Sequence, residues 1–279
     1  MDVSVIIINY NTRALTLACL GSIFRYTAGL KWEVIVVDNA STECDPALFT
    51  DAFASIRLIR SHRNLGFAGG NNLGLREARG KYVLLLNSDV KLKSNAIFRC
   101  WRFMEEHSRI GVTTIRLVFP DGMPQAVAQR FPSLRYKLAE WLRIQKVLGP
   151  QRGGRLLLGS FFDYRMSTEV DWVWGAYFMF RRVMLDALPG RKLNDDYFMY
   201  GEDMQWCFDF RKRGWKIWFS GDSEAIHLMG GSAGSKEALI IDGQRRFMKT
   251  NYSFAHRLCV GLVEHLLHGS KRMLSTLSG

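Results

Sequence analysis

A chain of 279 residues with 48% hydrophobic and 23% charged side chains suits one large α/β domain, or one domain with a short appendage; collagen, coiled coil and a disordered chain are excluded. Lysine and arginine number 38 against 26 acidic residues, a net charge of +12. Such a field favours polyanions: nucleotide phosphates, nucleic acid or an anionic membrane surface.

The first 120 residues alternate strand and helix signals. A β-branched run over Val3–Ile8 is followed by helical apolar spacing over Arg13–Tyr26, and buried-strand runs recur at Val34–Val37 and Ile56–Ile59. Ala68–Arg79 reads as a helix closed by Gly80 as its C-cap, Tyr82–Leu86 as a strand, Asn95–His107 as a helix and Gly111–Val118 as extended. This order predicts an α/β fold, a mostly parallel sheet with helices on both faces. Past Pro120 the chain turns basic and interrupted, with a basic amphipathic helix expected within Leu134–Leu148. Regular signals return at Val170–Phe180, at a helix over Asp203–Arg213 and at a short strand over Lys216–Phe219; from Lys236 onward the chain reads as a basic helix, weak at Gly243 and Gly261. The expected organisation is a domain over 1–235, divided into halves 1–118 and 119–235, and a helical tail over 236–279.

The five cysteines, Cys19, Cys44, Cys100, Cys207 and Cys259, form no Cys-x-x-Cys pair, so a reducing compartment is expected in place of a disulfide framework or zinc ribbon. The longest apolar runs are too short to span a bilayer. Met1-Asp2 leads straight into strand without a basic region and apolar core, so no signal peptide is expected. A cytoplasmic protein follows, either soluble or peripheral on the inner face of the membrane.

Polar residues gather where the predicted strands end: Asn9-Tyr10-Asn11, Asp38-Asn39-Ala40-Ser41 and Asn87-Ser88-Asp89. In a parallel α/β sheet ligands bind beyond the carboxyl ends of the strands, so three such clusters point to one crevice. Turn chemistry is the alternative for any one of them alone, and explains all three together less well. Tyr10 can stack on a nucleotide base and Asp38 can accept from its edge; the alternatives are a half-buried strand-end aromatic and a helix N-cap. The glycines of Asn64-Leu65-Gly66-Phe67-Ala68-Gly69-Gly70-Asn71-Asn72 permit close backbone approach at a helix N-terminus that favours phosphate or sugar hydroxyls, or they mark helix–strand packing. A dinucleotide-binding glycine loop would directly follow the first strand, and none does.

These clusters, with Val3–Ile8 before the first and Gly201-Glu202-Asp203 after the last, resemble in order the motifs of family-2 inverting glycosyltransferases with the GT-A fold. The resemblance covers roughly residues 3–230, and the glycine-rich segment is most similar to the rhamnosyltransferase-type branch. It implies that Tyr10, Asn11, Asp38, Asn64, Gly66, Gly70, Asn72 and Asn87 bind a nucleoside-diphosphate sugar, and that Trp174 and Gly175 lie beneath the donor and acceptor sugars. Asn87-Ser88-Asp89 stands where the family carries Asp-x-Asp; Asp89 would be a metal ligand, while Asn87 departs from the pattern. His227, before Gly230-Gly231-Ser232, would be the second ligand of Mg²⁺ or Mn²⁺; a lone histidine is equally often structural. Asp203 would be the general base and Glu202 would bind the acceptor or orient the loop. Acids complementing a helix dipole are the alternative for this pair, and Asp195 and Asp196 are rivals for the base. Tyr197, Phe198, Tyr200, Trp206, Trp172 and Trp174 would wall the site.

The expected activity is inverting transfer from dTDP-rhamnose first, or a UDP-sugar second, to a saccharide acceptor, plausibly lipid-linked, in cell-wall or surface-polysaccharide assembly. Competing classes are a non-catalytic sugar-nucleotide binder, a basic nucleic-acid-binding protein and a nucleotidyltransferase; no nucleic-acid-binding module is recognisable, so no nucleic-acid partner is expected. In the tail, Phe247, Phe254, Leu258, Leu262, Leu266 and Leu267 would form one apolar stripe, flanked by Arg245, Arg246, Lys249, Arg257, Lys271 and Arg272. With the basic segment Arg130–Arg155 it would lie on an anionic membrane, or else pack on the domain or on a second subunit of a homo-oligomer.

Overall fold

In chain order the secondary structure begins β1 (Val3–Asn9), α1 (Arg13–Tyr26), β2 (Trp32–Asp38), α2 (Ala47–Ala52), β3 (Arg57–Arg60), α3 (Gly66–Leu75), β4 (Tyr82–Asn87), β5 (Val90–Leu92), α4 (Ala96–Glu106) and β6 (Ile110–Val118). It continues β7 (Ala128–Gln129), α5 (Leu134–Trp141), α6 (Ile144–Leu157), β8 (Thr168–Val170), β9 (Trp172–Val173), β10 (Tyr177–Arg181), α7 (Glu202–Lys212), β11 (Lys216–His227), α8 (Lys236–Asn251) and α9 (Phe254–Leu277). This computed structural model describes residues 1–229 and 236–277, so Gly230-Gly231-Ser232 lies outside the described residues.

The nine-stranded sheet runs β3-β2-β1-β4-β10-β6-β11-β5, with β8 on the flank of β11. β1, β2, β3, β4, β6 and β11 point one way; β10, β5 and β8 oppose them. The sheet is therefore mostly parallel, as the alternating pattern predicts. Val5, Ile6 and Ile7 of β1, Val34–Val37 of β2 and Val83–Leu86 of β4 are buried on both faces, as a helix-covered parallel sheet requires. Burying each such side chain contributes roughly 1.5–3 kcal/mol.

Register brings the strand ends together. Asn9 lies opposite Asp38 across β1 and β2, and Ile8 opposite Asn87 across β1 and β4. Three strands paired in step end in step, so their polar tips share one edge. On the other side of β4, β10 pairs antiparallel with Tyr177 opposite Leu86, which carries the Trp174-Gly175-Ala176 segment to the same edge.

Four local expectations are corrected. The glycine-rich helix begins at Gly66 and ends at Leu75; Gly80 is no C-cap, and its bare Cα instead admits the backbone of Ser4 and Tyr82. The basic helix expected within 134–148 is two helices, broken where Arg143 takes a left-handed conformation (φ 54°). The strand starting at Lys216 continues past a register shift between Ser220 and Glu224 to His227, which therefore ends a strand and lies opposite Val90 of β5. The tail breaks at Tyr252–Ser253, between α8 and α9, and neither Gly243 nor Gly261 interrupts its helix. Among the described residues no helix is long and apolar enough to cross a membrane.

Candidate active site

At the β1–β2 edge the buried Asp38 carboxylate accepts from Asn9 Nδ2 at 2.8 Å and from the Ser41 backbone N–H at 3.2 Å. Asn9 Oδ1 in turn accepts from the hydroxyls of Thr12 and Thr16, which fixes the amide's orientation. Asn9 is thus the orienting partner of Asp38, and it sits inside a motif whose Tyr10 and Asn11 draw the attention. Tyr10 beside it is 45% exposed, leaving its ring as a stacking surface. Asn11, left-handed at φ 52°, accepts from the N–H groups of Thr42 and Glu43 and so holds the facing loop.

The glycine-rich loop is tied to β2 by Asn39. Its Nδ2 donates to Asn64 Oδ1 at 2.9 Å and to the Gly66 carbonyl at 3.1 Å, while its Oδ1 accepts from Leu65 N–H. Gly66 has φ 70°, and a Cβ there would collide with the Phe198 carbonyl oxygen. That carbonyl also accepts from Phe67 N–H at 3.0 Å. The close approach at Gly66 is therefore made by the chain itself, since the helix N-terminus binds the 194–201 loop. Gly70 packs on Ile8 of β1. Asn72 is buried and pairs both amide atoms with the backbone of Leu193, anchoring the start of the same loop.

At the end of β4, Asn87 donates its backbone N–H to the Ala176 carbonyl at 3.0 Å, and its side chain makes no hydrogen bond to the described residues. Ser88 meets Thr12 at 3.0 Å. Asp89 and His227 are both buried and face each other, Oδ1 to Nε2, at 3.3 Å. Gln125 sets the imidazole. Its Nε2 donates to the His227 carbonyl at 2.7 Å, so its Oε1 must face Nδ1, 2.6 Å away, and Nδ1 carries the proton. Nε2 is left turned on the Asp89 carboxylate. One carboxylate and one imidazole oriented from behind by an amide form a donor pair suited to a divalent cation whose other ligands come from substrate. Among the described residues no cluster of three or more His, Cys, Asp or Glu side chains could hold a metal by itself. Nothing in the sequence around Gln125 marks it out.

Asp203 lies in the first turn of α7. Its Oδ2 accepts the Gly175 N–H at 3.0 Å and its Oδ1 accepts the Met204 N–H at 2.8 Å. Burial nevertheless pushes its carboxyl up, to about 6. Glu202 is buried beside it, with Oε2 unpaired among the described residues. Burial first, and then the Asp203 charge, raises its carboxyl well above the usual range. A Cβ on Gly175 would meet the Phe67 ring at 2.8 Å, so this glycine holds Asp203 and packs on Phe67. Trp174 is partly exposed and donates its backbone N–H to Val127.

Gly66 meets Phe198, Phe67 meets Gly175, Gly175 holds Asp203, and Ala176 joins Asn87, so the β4 tip, the glycine-rich loop and the start of α7 are in contact at one edge of the sheet. Of the rivals, Asp195 is paired with Lys192 at 2.8 Å and accepts from Asn72 Nδ2 at 3.4 Å, and Asp196 lies 4.0 Å from Arg246. Trp206 is buried in the core, stacked on Phe67 with its indole N–H on the Asn194 carbonyl, and the Trp172 indole N–H donates to the Arg130 carbonyl.

The mostly parallel sheet with polar strand tips has the GT-A glycosyltransferase fold, and it carries the Glu202–Asp203 acid pair on α7 and the buried Asp89–His227 pair. The sequence model of glycosyl transferase family 2 matches residues 4–186, and the chain belongs to that family. It is a sugar-transferring enzyme of glycan or polysaccharide biosynthesis. Among its relatives, the low-salt glycan biosynthesis hexosyltransferase Agl10 of Haloferax volcanii is 23% identical over 261 residues, covering 91% of this chain and 77% of that protein. The N-acetylglucosaminyl-diphospho-decaprenol L-rhamnosyltransferase of Mycobacterium tuberculosis is 25% identical over 221 residues, covering 74% and 69%. The fold is shared with S. aureus TarS in complex with UDP-GlcNAc, at 18% identity and TM-score 0.57 over 92% of this chain and 69% of that one. It is shared also with GalNAc-T7 bound to UDP, GalNAc and Mn²⁺, at 15% identity and TM-score 0.59 over 89% and 48%.

Proposed function

We propose that the chain is an inverting transferase that moves a sugar from a nucleoside diphosphate to a saccharide hydroxyl, with Asp203 as general base. The observation that carries this is the Asp203 carboxylate, fixed by the Gly175 and Met204 N–H groups at the strand-tip edge and raised to about 6 by burial. As the acceptor oxygen attacks the anomeric carbon, its proton passes to Asp203; the new C–O bond forms on the face opposite the breaking one. The nucleoside diphosphate leaves with the electron pair. Glu202, beside the base, orients the α7 loop or meets the acceptor. Tyr10 stacks on the nucleotide base and Asp38, oriented by Asn9, accepts from its edge. Asn64, Gly66, Gly70 and Asn72 serve this site by holding the loops around it; Asn87 and Trp174 line it.

Asp89 and His227 are the residues that would hold Mg²⁺ or Mn²⁺. A cation bound there supplies positive charge to the departing diphosphate. The preferred donor is dTDP-rhamnose, supported by the rhamnosyltransferase named above, with a UDP-sugar second, supported by the UDP-bound neighbours. The acceptor is a saccharide on a lipid carrier, which the diphospho-decaprenol of that relative's name favours, reached from the inner face of the membrane. A panel of nucleotide-sugars, assayed for nucleoside-diphosphate release with Mg²⁺ or Mn²⁺ and candidate acceptors, tests the assignment. Binding of a nucleotide-sugar without release would instead favour a non-catalytic binder, a second reading prompted by Asn87 in place of the first metal-motif carboxylate.

A further inference from the structure

The apolar residues of the tail face two opposite ways. Phe247 of α8 and Val260, Val263 and Leu267 of α9 are buried. Phe247 packs against Phe131 and Phe208, and Lys137 of α5 pairs with Glu264 at 2.9 Å, so this side of the tail belongs to the core. On the far side of α9, Phe254, Leu258, Leu262 and Leu266 recur every fourth residue and are 71%, 53%, 59% and 51% exposed. No exposed position of α9 from 254 to 266 is a Lys, Arg, Asp or Glu. Arg257 sits at the boundary, with its guanidinium 5.9 Å from the Phe254 ring centroid. A helix in water carries its charges on the outer face, and here that face is apolar.

We infer that the outer face of α9 docks on an anionic lipid surface. The distribution of charge selects this occupant. Residues 134–157, whose α5 packs on α9, hold six Lys or Arg and one acid, and residues 236–277 hold seven and three; together these segments carry most of the excess positive charge of +12. Trp141, Leu142, Val147 and Leu148 are exposed on that first segment as well. A second copy seated on α9 would bring two such basic elements together, whereas anionic headgroups neutralise them while the apolar row enters the acyl boundary. The inference deepens the lipid-carrier reading of the acceptor. Its test uses no sugar nucleotide, so the two stand or fall separately.

The full-length chain is to be sedimented with phosphatidylglycerol–phosphatidylcholine vesicles and with phosphatidylcholine alone. Binding to the anionic vesicles at low salt and release at high salt are expected, with a loss of about tenfold or more in partition for the triple variant Phe254→Gln/Leu258→Gln/Leu262→Gln. These side chains are more than half exposed, so the variant should keep its thermal unfolding and nucleotide binding. Failure of the unaltered chain to bind anionic vesicles at low salt would overturn the inference. So would a dimer in sedimentation velocity that the triple variant converts to monomer.

Discussion

Asp203 is held by two N–H donors yet raised by burial, a balance that suits a group which must be unprotonated before the reaction and protonated after it. Asp203→Asn is expected to lower kcat by ~10²–10⁴-fold and to leave nucleotide affinity nearly unchanged by calorimetry. The acid limb of kcat/KM should then report an apparent pKa of about 6, above the ordinary carboxylate range. Wild-type turnover in the variant would move the base elsewhere. A different measurement addresses Asp89 and His227. Asp89→Ala should weaken nucleotide binding when Mn²⁺ is present and make no difference in EDTA. Gln125→Met, which frees the imidazole to turn, should weaken Mn²⁺ binding in the presence of nucleoside diphosphate by about 10–100-fold. Equal losses with and without metal would remove Asp89 from the ligand set.

At the scale of elements, the sequence is most informative where one residue type has one physical use. The β-branched runs of β1, β2 and β4 are buried strands, and their polar tips meet because the three strands pair in step. Local pattern says less about contacts between distant segments. Gly66 resembles a ligand cradle in sequence, yet the group approaching it is the carbonyl of Phe198, more than a hundred residues away. Gly243 resembles a weak point in a helix, yet a Cβ there would collide with the Tyr200 carbonyl, so α8 is packed on the loop that precedes Glu202. Gln205 of α7 exchanges amide hydrogen bonds with Asn251 of α8 at 2.7 and 3.5 Å. Gly66→Ala would need a strained φ and displacement of Phe198; a stability loss of ~1–3 kcal/mol is expected, read as a lower Tm together with weaker transfer. Removal of everything after Asp242 should likewise lower Tm, because it uncovers Phe131 and Phe208 and strips Gln205 of a partner. An unchanged Tm would show residues 243–279 to be dispensable to the stability of the rest.

For the molecule as a whole, the Glu202–Asp203 pair links the site to stability. Glu202 and Asp203 have carboxyls raised in the folded protein, so the folded state binds their protons more tightly than the unfolded chain does. Their protons therefore favour folding fully below the unfolded carboxylate range, near 4. That contribution is lost as pH rises through the higher folded values. Glu202→Gln keeps the shape and removes the ionisation. The variant should match the parent in stability near pH 4 and exceed it near pH 7, by denaturant unfolding at the two pH values. The buried Glu202 oxygen, without a partner among the described residues, is the local source of the difference, and the gain should come with impaired transfer, since a site built on an uncomfortable carboxylate trades stability for chemistry. If parent and variant keep the same stability difference from pH 4 to pH 7, Glu202 does not titrate differently on folding, and its burial costs the protein nothing that pH can relieve.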